Sequence, residues 1–537
     1  MATLNNEQLD DPLSFDGVSD FSGGQASNRP ANLLAGNESL TLTNVDIKTR
    51  LAVTRRGTTS LGSPTASPIQ GMIYFSTPSL GYIFAIAGGT AWKYDETGWT
   101  AISGYTASSA TEQIGIAQVI NLLYIADAGG DMFSYDGTSF VDLGTGSTNP
   151  PTGSLVLSHT NRLFCAGNTT VPDQLNASTP IAIAWETTNL SIRVGAGEGD
   201  PIVALAPWDG FQIVVFKRNS TWIVTADPSL TGSDGSTNNL TNATITKITD
   251  IGCVGPRAWA LVGSDIYFLT DTGVRSVRRV ITANTDAREV GPALSEPVHD
   301  VIDRINWTYA NQCAGFFWQN KFLISLPLDS STTPTTVLVY DTFVGAWSGT
   351  WTGWAPLIFI ISKASGLERM NFGQPDGSVW RWLDYVPVND ESDATFQDNG
   401  NAIATTIESR GMIFGDGSVN ISGAGPTFID SQSYKSPFTV SAEFYQSVAS
   451  VSLSVEFDQG TAYPVNNAFT TSGGVPLILP FLLPQILSSN ASKIRTFPMR
   501  QFNRFREMQI VIQSASQKLS LRSLSAKAFA DTIPPEE

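Results

Sequence analysis

Gly88-Gly89-Thr90-Ala91-Trp92-Lys93-Tyr94-Asp95, running on to Trp99, returns as Gly129-Gly130-Asp131-Met132-Phe133-Ser134-Tyr135-Asp136, running on to Phe140. The two passages align without a gap at an offset of 41 residues, with Tyr94-Asp95 over Tyr135-Asp136 and Trp99 over Phe140. A third version, Val339-Tyr340-Asp341 leading to Trp347, lacks the glycines. Self-similarity with a period near 40, in units rich in β-branched and aromatic residues, is the sequence sign of propeller blades. Each unit pairs short apolar strands through tight turns. Such a sheet is marginal alone and stable only when packed against its neighbours.

Working outward, the same texture extends from about 69 to 388. Gly71-Met72-Ile73-Tyr74-Phe75 and Tyr82-Ile83-Phe84-Ala85-Ile86 open the first unit. Leu122 to Asp127, Asn161 to Cys165, Gln212 to Lys217, Asp265 to Leu269, Cys313 to Trp347 and Leu357 to Leu383 mark six more. The fourth unit is interrupted by a Ser/Thr/Asn/Gly stretch from Asp227 to Asn242, read as a surface excursion. The expected fold class is all-β: a β-propeller of six or seven blades with a C-terminal β-sandwich-like domain. Residues 1–45 are polar and read as an extended N-terminal arm, residues 46–390 as the propeller, and residues 391–537 as a β-sandwich or barrel. Asn389 to Asp393 and Gln397 to Asn401 read as linker. Ala402 to Arg410, Phe438 to Phe444, Val451 to Phe457, Arg504 to Ile512 and Leu519 to Phe529 have the period-two character of strands.

Composition narrows the function classes. A formal net charge of −17 argues against a nucleic-acid-binding groove, which needs clustered Lys and Arg. It is compatible with DNA passing along a wall that repels phosphate. Three well-separated cysteines, Cys165, Cys253 and Cys313, make neither a disulfide framework nor a zinc site, and read as buried thiols. The first residues lack the basic and apolar regions of a secretory signal. The longest apolar stretch, Val475 to Leu487, is interrupted by Pro476, Pro480 and Pro484 and is too short to span a membrane.

Chemistry is hard to find. The two histidines, His159 and His299, stand apart with no nucleophile elbow nearby. Ser134 to Phe140 superficially resembles a sialidase aspartate box with its glycine one place early, and Lys93 to Trp99 departs at its first position. Asp95 and Asp136 are better read as Asx-turn residues. Gly195-Ala196-Gly197-Glu198-Gly199-Asp200 lacks the following helix that a phosphate loop needs and reads as a connector. Asn219-Ser220-Thr221 spells a glycosylation acceptor without a secretory context. Arg275, Arg278 and Arg279, and Arg495, Arg500, Arg504 and Arg506, read equally well as solvated strand faces or as pairing surfaces for acidic partners. The expectation is no catalytic, cofactor-binding or metal residue, no cofactor, and no enzyme.

Several phrases resemble the tail nozzle proteins of short-tailed bacteriophages, also called tail hub, tail tubular or packaged-DNA-stabilisation proteins. Asn44 to Leu51 leads to Arg55-Arg56-Gly57-Thr58, where members of that family carry an Arg-x-Gly or Arg-Pro-Gly turn; here Arg56 stands in the proline position. Gly199 to Leu205 is followed by Val214-Val215-Phe216-Lys217-Arg218-Asn219-Ser220-Thr221-Trp222, the most specific phrase. Ile251-Gly252-Cys253-Val254-Gly255-Pro256-Arg257 precedes Ile266 to Val274, and Arg504-Phe505-Arg506-Glu507-Met508-Gln509-Ile510 lies near the end. The resemblance implies a structural virion protein of the tail, assembled in the host cytoplasm. It further implies a homo-hexameric ring below portal and adaptor that extends and gates the DNA channel. Tail fibre or spike proteins and a needle or plug would attach around it, with no small-molecule substrate and no membrane span. The alternative is a carbohydrate-binding or adhesive β-propeller using Trp99, Trp351 and Trp354 as exposed stacking platforms. A hydrolytic propeller is the third reading.

Overall fold

The repeated phrase covers the same place in two neighbouring sheets of the structure, a computed structural model. Tyr94 and Tyr135 each end a third strand, Asp95 and Asp136 make the turn, and Trp99 and Phe140 open the fourth strand opposite them. Tyr340 and Trp347 face each other in the same way. The glycines differ. Gly88 and Gly89, with φ of 59° and 77°, form a two-residue hairpin turn. Gly129 and Gly130 sit in a wider loop without positive φ. The structure describes residues 13–144, 150–181, 183–185, 190–227, 229, 240–278, 281, 293–384, 393–414, 418–419, 427–428, 435–445, 450–458, 463–470, 492–498, 505–515 and 518–530.

Among the described residues seven blades form the propeller. The first comprises Ile69–Ser76, Gly81–Ala87, Thr90–Tyr94 and Trp99–Ile102. The second comprises Gly115–Val119, Leu122–Ala126, Phe133–Tyr135 and Phe140–Asp142. The third comprises Leu155–His159, Arg162–Ala166, Gln174–Ala177 and Ser191–Arg193. The fourth comprises Ile202–Pro207, Gln212–Lys217, Thr221–Thr225 and Thr244–Thr249, and most of the excursion before its last strand lies outside the described residues. The fifth has Trp259–Val262, Asp265–Thr270 and Gly273–Ser276 among the described residues. The sixth comprises Gly315–Trp318, Lys321–Leu326, Thr336–Asp341 and Ala346–Thr352. The seventh comprises Ile358–Ala364, Leu367–Gly373 and Val379–Trp382.

Strand periodicity explains the ring. In Gly81–Ala87, Ile83, Ala85 and Ala87 point one way, onto Ile360 and Val379 of the seventh blade. Tyr82, Phe84 and Ile86 point the other way, onto Leu123, Ile125 and Tyr135 of the second. Alternate residues therefore bury against opposite neighbours, which demands apolar character on both faces. Further cores join the second blade to the third, the third to the fourth, the fourth through the fifth to the sixth, and the sixth to the seventh.

The last blade is completed by the beginning of the chain. Thr58–Ser60 pairs antiparallel with Val379–Trp382, and Gln397–Asp398 adds alongside it in parallel. The presumed linker at 397–401 is thus part of the seventh sheet, continued by Asn401–Ala402.

The reading of residues 1–45 as an extended arm differs from the structure. Leu13–Val18 pairs with Ser520–Ala530, and Glu38–Thr43 pairs with Thr405–Ser409. Val45–Lys48 and Leu51–Thr54 form a hairpin that also reaches Ser520–Ala530. The sandwich is therefore built from both ends of the chain, and the divisions at 45 and 390 are not structural boundaries. Its core joins Val18, Phe21, Leu42, Val45, Ile47 and Ala52 to Ile407, Leu453, Ile510, Ile512 and Leu524. Between these few apolar positions the N-terminal strands carry Ser, Thr, Asp and Glu, so the segment looks like a solvated arm. Its strands cover edges that the C-terminal strands would otherwise leave bare. Thr43 lies parallel to Thr350, so the outer strand of the sixth blade runs straight into the sandwich sheet. Among the described residues no helix is long and apolar enough to cross a membrane.

Candidate functional site

The residues first examined for chemistry stand apart. His159 ends the first strand of blade three, with Nε2 2.9 Å from the Gly210 carbonyl. His299 opens the short helix His299–Asp303 and lies 3.4 Å from Asp303. Asp95 accepts hydrogen bonds from the hydroxyl and amide of Thr97, at 2.5 and 3.1 Å, which hold its carboxyl below the usual range. Asp136 accepts from the amides of Ser139 and Thr138, at 2.8 and 2.7 Å, with the same effect. Both are turn-makers at the surface. Among the described residues no three His, Cys, Asp or Glu gather as a metal site. All three cysteines are buried free thiols. Arg279, Arg500 and Arg504 lie outside the described residues, and Arg495 lies in a strand whose side chain there is not described. Arg278 donates to the Ser264 carbonyl at 2.9 Å.

The aromatic platforms need correction. Trp351 and Trp354 are 0% and 1% exposed, stacked edge-on at 5.2 Å inside the core between the sixth and seventh blades. Trp351 Nε1 donates to the Val45 carbonyl at 2.7 Å. Trp99 is half-buried on Tyr94 and donates to the Leu61 carbonyl at 3.0 Å. Sequence cannot distinguish a buried tryptophan from a displayed one when both end a strand.

The phrases that carry the family resemblance fall at structural junctions. Lys217 is fully buried, and its ammonium donates to the carbonyls of Val194 and Gly195 at 3.0 and 3.3 Å. Glu198 lies 3.6 Å away. Asp200 accepts from the Asn219 amide and from the Ser220 hydroxyl, at 3.1 and 3.0 Å. The glycine-rich connector therefore wraps the lysine and serves as a clamp between blades three and four. Its Gly195, Gly197 and Gly199 all have positive φ, which the wrapping requires. In the first phrase Arg55 is 1% exposed and Gly57 passes so close to Gln397 that an added Cβ would lie 1.9 Å from its carbonyl oxygen. In the last phrase, the amides of Arg506 and Glu507 both donate to Asp458, at 2.8 and 2.9 Å.

The third phrase ends at the propeller axis. Arg257 precedes the first strand of blade five and crosses the axis. Its Nη2 donates to the carbonyls of Gln70 and Ile114, at 2.5 and 3.0 Å, and its Nη1 to that of Leu357, at 3.3 Å. Those acceptors stand at the entrances of blades one, two and seven. Burial alone lowers the guanidinium to about 10, so it keeps its charge at neutral pH. Gln113 crosses the same end, donating Nε2 to the Asn311 carbonyl at 3.2 Å, while its buried Oε1 has no hydrogen-bond partner. Two cavities, of about 200 and 370 Å³, adjoin Arg257 and share Pro256, Trp259 and Ile358 as lining residues. Their walls are mostly apolar, including Leu157, Leu205, Trp259 and Phe317. In the sequence Arg257 stands only as the last residue of the third phrase. Its isolation from acidic neighbours on the strand was the available signal.

No family model matches the chain, and no curated protein does. Solved structures of similar shape include YCF48 bound to D1 peptide, 10% identical with a TM-score of 0.38, covering 62% of this chain and 97% of that one. The computationally designed Ika8 protein is 12% identical with a TM-score of 0.35, covering 62% and 100%. BamB from Moraxella catarrhalis is 11% identical with a TM-score of 0.36, covering 59% and 84%. The propeller assignment rests on the sheet topology itself.

Proposed function

We propose that this protein is a structural component of a virion, the tail nozzle of a short-tailed bacteriophage. In this reading six copies form a ring below portal and adaptor, extend and gate the DNA channel, and carry fibre or spike and needle proteins. One observation carries it: the phrases resembling that family occupy the junctions that hold this architecture together. Arg55 and Arg257 tie together chain segments 343 and 143 positions apart, and Lys217 joins neighbouring blades. Residues shared for that purpose point to a shared scaffold, and a scaffold works by shape and assembly. The net charge of −17 suits a wall along which DNA slides without adhering. The adhesive alternative has lost two of its three platforms to the core.

The test is assembly. Mass photometry and negative-stain imaging of the purified protein, alone and with the adaptor encoded beside it, should show a six-fold ring. A protein that stays monomeric and never docks on that adaptor would overturn the reading.

A further inference from the structure

The axial cavity has the make-up of a binding site. Three of the guanidinium's five N–H groups are used on carbonyls. Among the described residues no carboxylate pairs with Arg257, so its charge is held by backbone dipoles alone. Charged groups removed from water are ordinarily paired, and an uncompensated one that faces a cavity favours an anion. The walls leading away from it are apolar, which disfavours a small hydrated ion such as chloride. Leu261, which lines the larger cavity, is 45% exposed and marks where that cavity meets solvent. The cavities thus join apolar walls to a cationic floor.

We propose that this axial funnel binds a carboxylate carried on an apolar body, with the carboxylate against Arg257 and the body along Trp259 and Phe317. The terminal residue of a peptide chain and a free medium-chain acid share that chemistry. The three carbonyl contacts hold the guanidinium in place before any ligand arrives, so little ordering is required on binding. The inference is independent of ring assembly.

Calorimetric titration tests it with four probes: decanoate, decanol, a hexapeptide ending in free phenylalanine, and the same peptide amidated. The carboxylate-bearing member of at least one pair should bind at least tenfold more tightly than its uncharged partner. Preference confined to the peptide pair identifies a chain terminus as the ligand, and preference confined to decanoate identifies a small amphiphile. Arg257→Met should abolish the preference. Because Arg257 also ties blades together, Leu261→Glu serves as a second variant. It places a like charge at the mouth on an exposed position, and should weaken the preferred probe at least tenfold with the melting temperature unchanged. Equal binding within both pairs, no binding by any probe, or an unchanged affinity in Leu261→Glu would overturn the proposal.

Discussion

Arg55 and Asp398, 343 positions apart in the chain, meet in a two-pronged ion pair, Nη1 to Oδ1 at 3.0 Å and Nη2 to Oδ2 at 2.6 Å. The same guanidinium donates Nε to Asn44 at 2.9 Å and Nη2 to the Thr352 carbonyl at 2.7 Å, and lies over the Trp354 ring at 4.9 Å. Thr58 completes the Asp398 carboxylate at 2.9 Å. One side chain thus joins the strand that closes the seventh blade, the outer strand of the sixth, and the segment entering the sandwich.

Removing one partner of this pair leaves a charge without compensation. Arg55→Ala should destabilise the protein by about 3–5 kcal/mol, and Asp398→Ala by somewhat less because that carboxylate is nearer solvent. The double variant should be less destabilised than the sum of the two. Chemical denaturation of the four proteins of the cycle measures this, and strict additivity would show that the pair is not coupled.

Closure by the N-terminal strands predicts that they are indispensable. Deleting residues 1–60 strips the fourth strand from the seventh blade and removes Leu13–Val18, Glu38–Thr43, Val45–Lys48 and Leu51–Thr54 from the sandwich. Bare edges of this length invite intermolecular pairing. The truncated chain should be found in the insoluble fraction, or lack a cooperative melting transition. Soluble protein with the full-length melting profile would contradict the topology.

Trp351→Ala should cost about 3–5 kcal/mol through lost burial and the cavity left behind. Its effect should appear in thermal melting and not in glycan-array binding, since the ring is enclosed. The reverse pattern would mean that the tryptophan is displayed.

Burial pushes the thiols of Cys165 and Cys253 up to about 12, and raises that of Cys313 as well. The thiolate is the reactive species. At pH 8 a thiol-specific disulfide reagent should therefore leave the native protein unlabelled and label three sites after guanidinium unfolding. Rapid labelling of the native protein would refute the packing around them.

Burial pushes the Glu408 carboxyl up; Glu456 adds to the rise and a hydrogen bond from Thr41 at 2.9 Å opposes it. The folded state thus holds the proton more tightly than the unfolded chain. Its contribution is fully present below the unfolded value of 4.5 and is lost as pH rises through the folded one. Glu408→Gln should therefore gain melting temperature relative to the parent at pH 7, with the gain shrinking towards pH 4.5. A difference independent of pH would remove Glu408 as its source.

Much of the fold lay open in the chain. The repeated phrase placed two blades, and alternation of apolar residues located the strands of the others, because pleating and tight turns depend on neighbours only a few positions away. Asp95 and Asp136 were recognisable as turn-makers for the same reason. Thr58–Ser60 was not recognisable as the seventh blade's fourth strand: three hydroxyl residues have no periodicity, and their partner lies more than 300 positions on. The arm at 1–45 was misleading in the same way, its strands being set by edges waiting at the other end of the chain.

By itself, then, the sequence determined that this is a ring of small, two-faced sheets. Only the tertiary structure decided that seven sheets close the ring and that both termini build one sandwich. It also decided that Arg55 meets Asp398 and that Arg257 stands uncompensated on the axis. Those are properties of chain closure and of burial, and both come from groups that meet only after the chain has folded.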